Sequence, residues 1–150
     1  MTHHTPASRD WHGSPRSLAS AEKARIIEKI RDALAPHMEV NFALLHGSFL
    51  TDRPFRDIDL AVYVIPAFEG LRRGQYEIDL STDLAELVRF PVDVRVLNDA
   101  PLAFRYHALT GTVLLIRDEE LLDEFRARTW DDYFDFAPFA RRFLREAIGE

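Results

Sequence analysis

The chain has no cysteine among its 150 residues, which excludes a disulfide framework, a thiolate metal site and a catalytic thiol. It also lacks long apolar runs. Charges interrupt every hydrophobic stretch after a handful of residues, and the first 20 residues carry no apolar signal-peptide core, so neither a membrane span nor export is expected. Nor is there an excess of positive charge. With 19 Lys and Arg against 25 Asp and Glu, the net charge is −6 and the pI about 5.5, which does not suit the basic stripe that grips a nucleic-acid backbone. What is present, 47% hydrophobic and 29% charged residues, is the composition of one soluble domain with a proper core, suited to a reducing cytoplasm.

Residues 1–19 contain histidines, prolines, Ser and Thr without hydrophobic periodicity, and read as a flexible leader. From Ser20 as N-cap, Ala24, Ile27, Ile30 and Leu34 recur at helical spacing until Pro36. Val40 to Leu45 is a short buried strand closed by Gly47-Ser48. Asp57 to Ile65 alternates, with Ile58, Leu60, Val62 and Val64 on one face and Asp57, Asp59, Ala61 and Tyr63 on the other. A helix is predicted over about 75–89 and covers the apolar face. Pro91 to Leu97 repeats the strand pattern, with Asp93 and Arg95 opposite three valines. A helix over 101–109, a strand over 112–116 and a charged helix over 118–129 follow. An aromatic tail over about 130–149 either caps the core or meets a partner. The arginines of 141–145 read as a solvated helix face that is also fit to meet an acidic partner.

The chemistry concentrates in the middle. Asp57 and Asp59 stand two apart in a strand, so their carboxylates share a face about 6.6 Å apart along the axis. Such neighbours resist joint ionisation unless positive charge relieves them. A divalent metal supplies it, and Mg²⁺ takes one or two protein carboxylates while drawing its other oxygens from water and triphosphate. Asp93, on a third strand and the same face, is placed to complete a two-metal layout or to accept the proton of an attacking hydroxyl. Gly47 and Ser48, in the turn after a strand, offer backbone amides and a hydroxyl to phosphate oxygens. Arg53 and Arg56, in the loop between, are candidates for balancing triphosphate charge.

The segment LLHGSFLTDRPFRDIDLAVYV followed by VDVRVL resembles the minimal nucleotidyltransferases of the DNA polymerase beta superfamily. The resemblance implies an α/β (α+β) nucleotidyltransferase fold, a small mixed sheet with helices on one face and the metal and nucleotide site on the other. It also implies that Gly47 and Ser48 contact the triphosphate and that Asp57, Asp59 and Asp93 bind metal. The loop from Ser48 to Asp57 is shorter than the family commonly has. The tail RTWDDYFDFAPFARRFLREA is similar to the ends of antitoxins that pair with HEPN-domain ribonuclease toxins. Such antitoxins imply ATP and Mg²⁺ as substrate and cofactor, adenylate transfer to a tyrosine of the toxin, and a hetero-oligomer with that toxin. Two alternatives stay open: a vestigial subunit that neutralises its partner by binding, and a small-molecule nucleotidyltransferase.

Overall fold

The alternating segments form a four-stranded sheet. The structure, a computed structural model, describes residues 16–65 and 72–147. Within them the chain runs α1 (Ser20–Leu34), β1 (Val40–His46), a 3₁₀ turn (Ser48–Leu50), β2 (Ile58–Val64), α2 (Arg73–Val88), β3 (Val92–Val96), α3 (Leu102–Leu109), β4 (Thr112–Ile116) and α4 (Glu119–Ala147). The strand order is β3-β2-β1-β4. β1 pairs antiparallel with β2 and β4, whereas β2 and β3 run parallel, joined through α2. Among the described residues no helix is long and apolar enough to cross a membrane.

The face predicted to be core is covered by α1 and α2. Ile30 and Leu34 from one helix and Leu80, Leu84 and Val88 from the other pack on Leu45, Ile58, Leu60, Val62, Val94 and Val96. A bulge between Val40 and Phe42 lets Val40 and Ala43 reach that same face despite their odd spacing. Side chains close the free edge of β3: Val94 N–H donates to Ser81 Oγ at 2.9 Å and Val96 N–H to Glu77 Oε2 at 3.3 Å. α2 therefore both roofs the strand and occupies amides that would otherwise recruit another strand. Beyond the strands, Asn98 bonds both backbone groups of Val64, and the Arg117 guanidinium ties Val40 and Ala35 together through their carbonyls.

Five expectations need correction. Helices do not lie on one face only, because Phe42, Leu44 and Ala61 make the acid-bearing face apolar over much of its length. Ala108, Leu109, Leu122 and Phe125 of α3 and α4 bury that part. The charged helix and the tail are one continuous helix of 29 residues with Pro138 inside it. The tail does not cap the core either, since Phe134, Phe136, Phe139 and Phe143 are exposed, and Tyr133 alone among these aromatics packs closely, stacked on Tyr106 at 3.8 Å. Of the predicted leader, residues 1–15 lie outside the described residues. Its last part is held, because Arg16 exchanges two backbone hydrogen bonds with Phe55 and Leu18 packs on the core. Ser20 is already helical; the carbonyl of Ala19 takes the first helical amides.

The α3–β4 turn brings Gly111 against β1. A Cβ there would collide with the carbonyl oxygen of Leu45 and stand 3.1 Å from that of Ala108. Both obstacles are backbone and cannot swing aside. Gly111→Ala is expected to cost roughly 1–3 kcal/mol, read as a lowered urea midpoint at unchanged m-value.

Candidate functional site

Strand register assembles the site. The parallel pairing of β2 with β3 sets Asp59 beside Asp93, and the antiparallel pairing of β1 with β2 sets His46 beside Asp59. Asp57 stands one residue before β2, at the same end of the sheet. One carboxylate oxygen from each of Asp57, Asp59 and Asp93 falls within 4.8 Å of the others, and all three residues are half-buried. The expected triad is therefore brought together. Its donors are all hard oxygens, and their crowding calls for a cation, so the set fits Mg²⁺ or a similar divalent ion.

The turn after β1 closes on the triad. Gly47 has φ 83°, a left-handed conformation that favours glycine. A Cβ there would also run into Asp59 Oδ2. Two independent demands, backbone angle and proximity to a carboxylate, thus fix glycine at this position. Ser48 starts the 3₁₀ turn that follows. The short loop is anchored by Phe49 and Phe55, both buried, whose rings meet edge-on at 5.0 Å; Phe55 also meets Phe90 at 5.3 Å. Lys23 bonds the carbonyl of Thr51 at 2.8 Å and lies over both loop rings. Arg53 and Arg56 sit exposed on this loop. The cation that touches the triad is Arg95, whose Nε lies 3.4 Å from Asp93 Oδ1.

Asp59 is the centre of the cluster electrostatically. Burial, then the charges of Asp57 and Asp93, raise its pKa from 3.8 to about 6, with Arg95 opposing. His46 was not foreseen as part of the site. Burial holds its imidazole below the ordinary value against the pull of Asp93 and Asp57. Its Nε2 is buried without a hydrogen-bond partner among the described residues, and its ring meets Phe104 of α3 edge-on at 5.4 Å. The available signal was alternation along β1, which puts Phe42, Leu44 and His46 on one face. Only the register, which sequence does not display, puts that face beside the acids. A cavity of about 350 Å³ is lined by Arg73, Glu77, Arg95, Asp99 and Phe104 among others; none of the three acids lines it, and it meets the site only through Arg95 and Phe104.

Because the folded-state pKa of Asp59 is raised, its contribution to the stability of the metal-free protein is fully present below pH 3.8. It is lost as pH rises through about 6. After discounting for the solvent that reaches this half-exposed group, the loss is roughly 1–2 kcal/mol. Asp59→Asn is therefore expected to raise the melting temperature in EDTA at pH 7 and to make little difference at pH 4. The same change should shrink the stabilisation that added Mg²⁺ or Mn²⁺ gives the wild type. A variant that melts lower than wild type at pH 7 in EDTA would contradict this account of the cluster.

Comparison with known proteins agrees with the geometry. Residues 28–120 match the family described as polymerase beta nucleotidyltransferase. No curated protein matches the chain. Solved structures of the same fold include the toxin–antitoxin complex MntA-HepT, at 19% identity and TM-score 0.59, covering 87% of this chain and 99% of that one. A second is a tri-AMPylated Shewanella oneidensis HEPN toxin in complex with an MNT antitoxin, at 19% identity and TM-score 0.60, covering 85% and 97%. A third is a toxin–antitoxin with AMP-PNP, at 20% identity and TM-score 0.61, covering 84% and 98%. The family match spans more than half of the sequence, from α1 through β4 and across all three acids, and the chain belongs to the polymerase beta nucleotidyltransferase family.

Proposed function

We propose that this chain is a metal-dependent adenylyltransferase that acts as an antitoxin, moving AMP from ATP onto a hydroxyl, that of a tyrosine, in a HEPN-domain toxin. The observation that carries this reading is the convergence of Asp57, Asp59 and Asp93 within 4.8 Å, with the Gly47 backbone closed against Asp59. The similarity to toxin–antitoxin complexes, one with an AMPylated toxin and one with AMP-PNP, supports the substrate pair. The net negative charge favours a protein acceptor over a template strand. ATP and such a toxin both place the work in the cytoplasm.

Asp57, Asp59 and Asp93 would hold Mg²⁺, which when bound offsets the carboxylate repulsion and withdraws charge from the triphosphate. The protein's own groups do the rest. Gly47 and Ser48 receive the β- and γ-phosphate oxygens, and Arg53 and Arg56 balance their charge from the loop. Asp93 takes the proton of the acceptor hydroxyl as its oxygen bonds to the α-phosphorus. The bond from that phosphorus to the bridging oxygen breaks, and pyrophosphate leaves. Asp57 and Asp59 fix the geometry.

The test is intact-mass spectrometry of a HEPN-domain toxin from the same organism, after incubation with this protein, ATP and Mg²⁺. Wild type is expected to add one or more adenylates. Asp57→Asn with Asp59→Asn should add none, and Asp93→Asn should slow transfer by about 10²–10⁴-fold. Full transfer by the double variant would sink the proposal. A stable complex without any mass gain would instead favour neutralisation by binding alone.

A further inference from the structure

Strand order fixes the side from which an acceptor reaches the acids. The Gly47-Ser48 turn follows β1, Asp59 lies on the neighbouring β2, and Asp93 lies on β3, the edge strand of the described sheet. In nucleotidyl transfer the attacking and leaving oxygens stand roughly in line, on opposite sides of the phosphorus. With the leaving pyrophosphate on the β1 turn, the attacking hydroxyl comes from the β3 side. The core lies behind the sheet under α1 and α2, and α3 and α4 bury the apolar part of the acid face.

A groove of about 460 Å³ lies on that side, lined by Gly74, Ile78, Thr82, Asp93 and Arg95 among others. Asp93 thus belongs both to the triad and to the groove. Gly74, Ile78 and Thr82 recur every fourth residue along one flank of α2 and are exposed, Ile78 by 60%. Ile78 offers an apolar contact to an aromatic ring, while the Asp93 carboxylate accepts a hydrogen bond from a hydroxyl. The strand edge beneath excludes one mode of binding. Val94 N–H already donates to Ser81 and Val96 N–H to Glu77, so a strand added to this edge would find both amides taken. The groove admits an inserted side chain rather than a paired strand.

We propose that this groove receives the acceptor: a tyrosine of the partner protein, carried on a helix or a loop, with its ring against Ile78 and its hydroxyl at Asp93. The proposal rests on the transferase reading and names the surface on which the protein substrate of that reaction docks. It assigns α2, which otherwise roofs the core, a second task on its outer flank.

Steady-state adenylate transfer to a HEPN-domain toxin from the same organism tests it, with toxin and ATP varied separately. Gly74→Trp fills the groove from a position where an added Cβ meets nothing within 4 Å, and far-UV circular dichroism and the melting temperature should confirm an intact fold. It should raise the KM for toxin on the order of 30-fold, and Ile78→Ala about tenfold. The KM for ATP, and the thermal shift given by Mg²⁺ with AMP-PNP, should stay as in wild type. Leu87→Ala is the control. Leu87 is 45% exposed on the same helix, but it stands about two and a half turns beyond Ile78 and so on the opposite side; both KM values should be unchanged. Toxin KM values at the wild-type level in Gly74→Trp and Ile78→Ala would overturn the groove and leave the transferase reading standing. A rise in the KM for ATP would overturn it too and give the groove to the nucleotide, and so would an equal effect of Leu87→Ala. If the wild-type protein transfers no adenylate, the transferase reading itself fails and this proposal falls with it.

Discussion

Three carboxylates at the end of two neighbouring parallel strands are a burden that the sheet must carry. Like charges set side by side across strands destabilise the pairing. Here the register that opposes Asp59 to Asp93 is the same one that aligns Ile58, Leu60 and Val62 with Val92, Val94 and Val96 on the core face. A slip of either strand by one residue would separate the acids but turn that strand's three core side chains towards the opposite face. Each buried aliphatic side chain is worth about 1.5–3 kcal/mol, so the core term exceeds the roughly 1–2 kcal/mol lost at Asp59 several times over. The acids are held together by the hydrophobic face behind them, and the rest of the site follows from that arrangement.

Once register is fixed, the surroundings decide what the acids can do. Burial disfavours the charged form of His46, and Arg95, 3.4 Å from Asp93 and half-exposed to water, offsets the burial and repulsion at Asp59 only in part. The cluster is therefore left short of positive charge, with Gly47 leaving room directly beside Asp59. Crowded carboxylates of this kind cost stability that a cation would offset, a trade of stability for function that active sites often make. α3 and α4 bury the apolar remainder of the same face and confine the polar part to one end of the sheet.

Much of this was legible in the chain, and the omissions share a cause. The alternation in 57–65 and 91–97 displays both the core face and the acid face, and helical spacing displays α1 and α2, because in those segments local pattern and tertiary burial agree. His46 ends an apolar strand and looks like a boundary residue until pairing sets it opposite Asp59. The cover over the acid face was missed because α3 has little contrast between its faces, so no periodicity announces where Leu109 and Ala108 point. Phe49 and Phe55 sit in a loop where Gly, Pro and charge signal exposure, yet both are buried and carry the loop that joins Ser48 to Asp57. Arg16 is ordered through a two-bond bridge to Phe55, a long-range pairing invisible to any local window.

The two halves of α4 answer different demands of a small catalytic chain. The described residues form one sheet, and most of both its faces is covered: one by the α1–α2 core, the other shared between the acid cluster and the α3–α4 cover. A helix continued beyond its own packing surface presents a new face, since each added residue extends it by about 1.5 Å. Continuing the helix through Pro138 forgoes one backbone hydrogen bond, the amide that the carbonyl of Phe134 would have taken. That loss is tolerable where the helix is solvated, and the exposed apolar row around it makes sense only if something else completes its burial. The acid cluster lies at one end of the sheet, whereas the exposed row lies on the part of α4 that continues past Phe125 and Thr129, where no sheet residue covers it among those described.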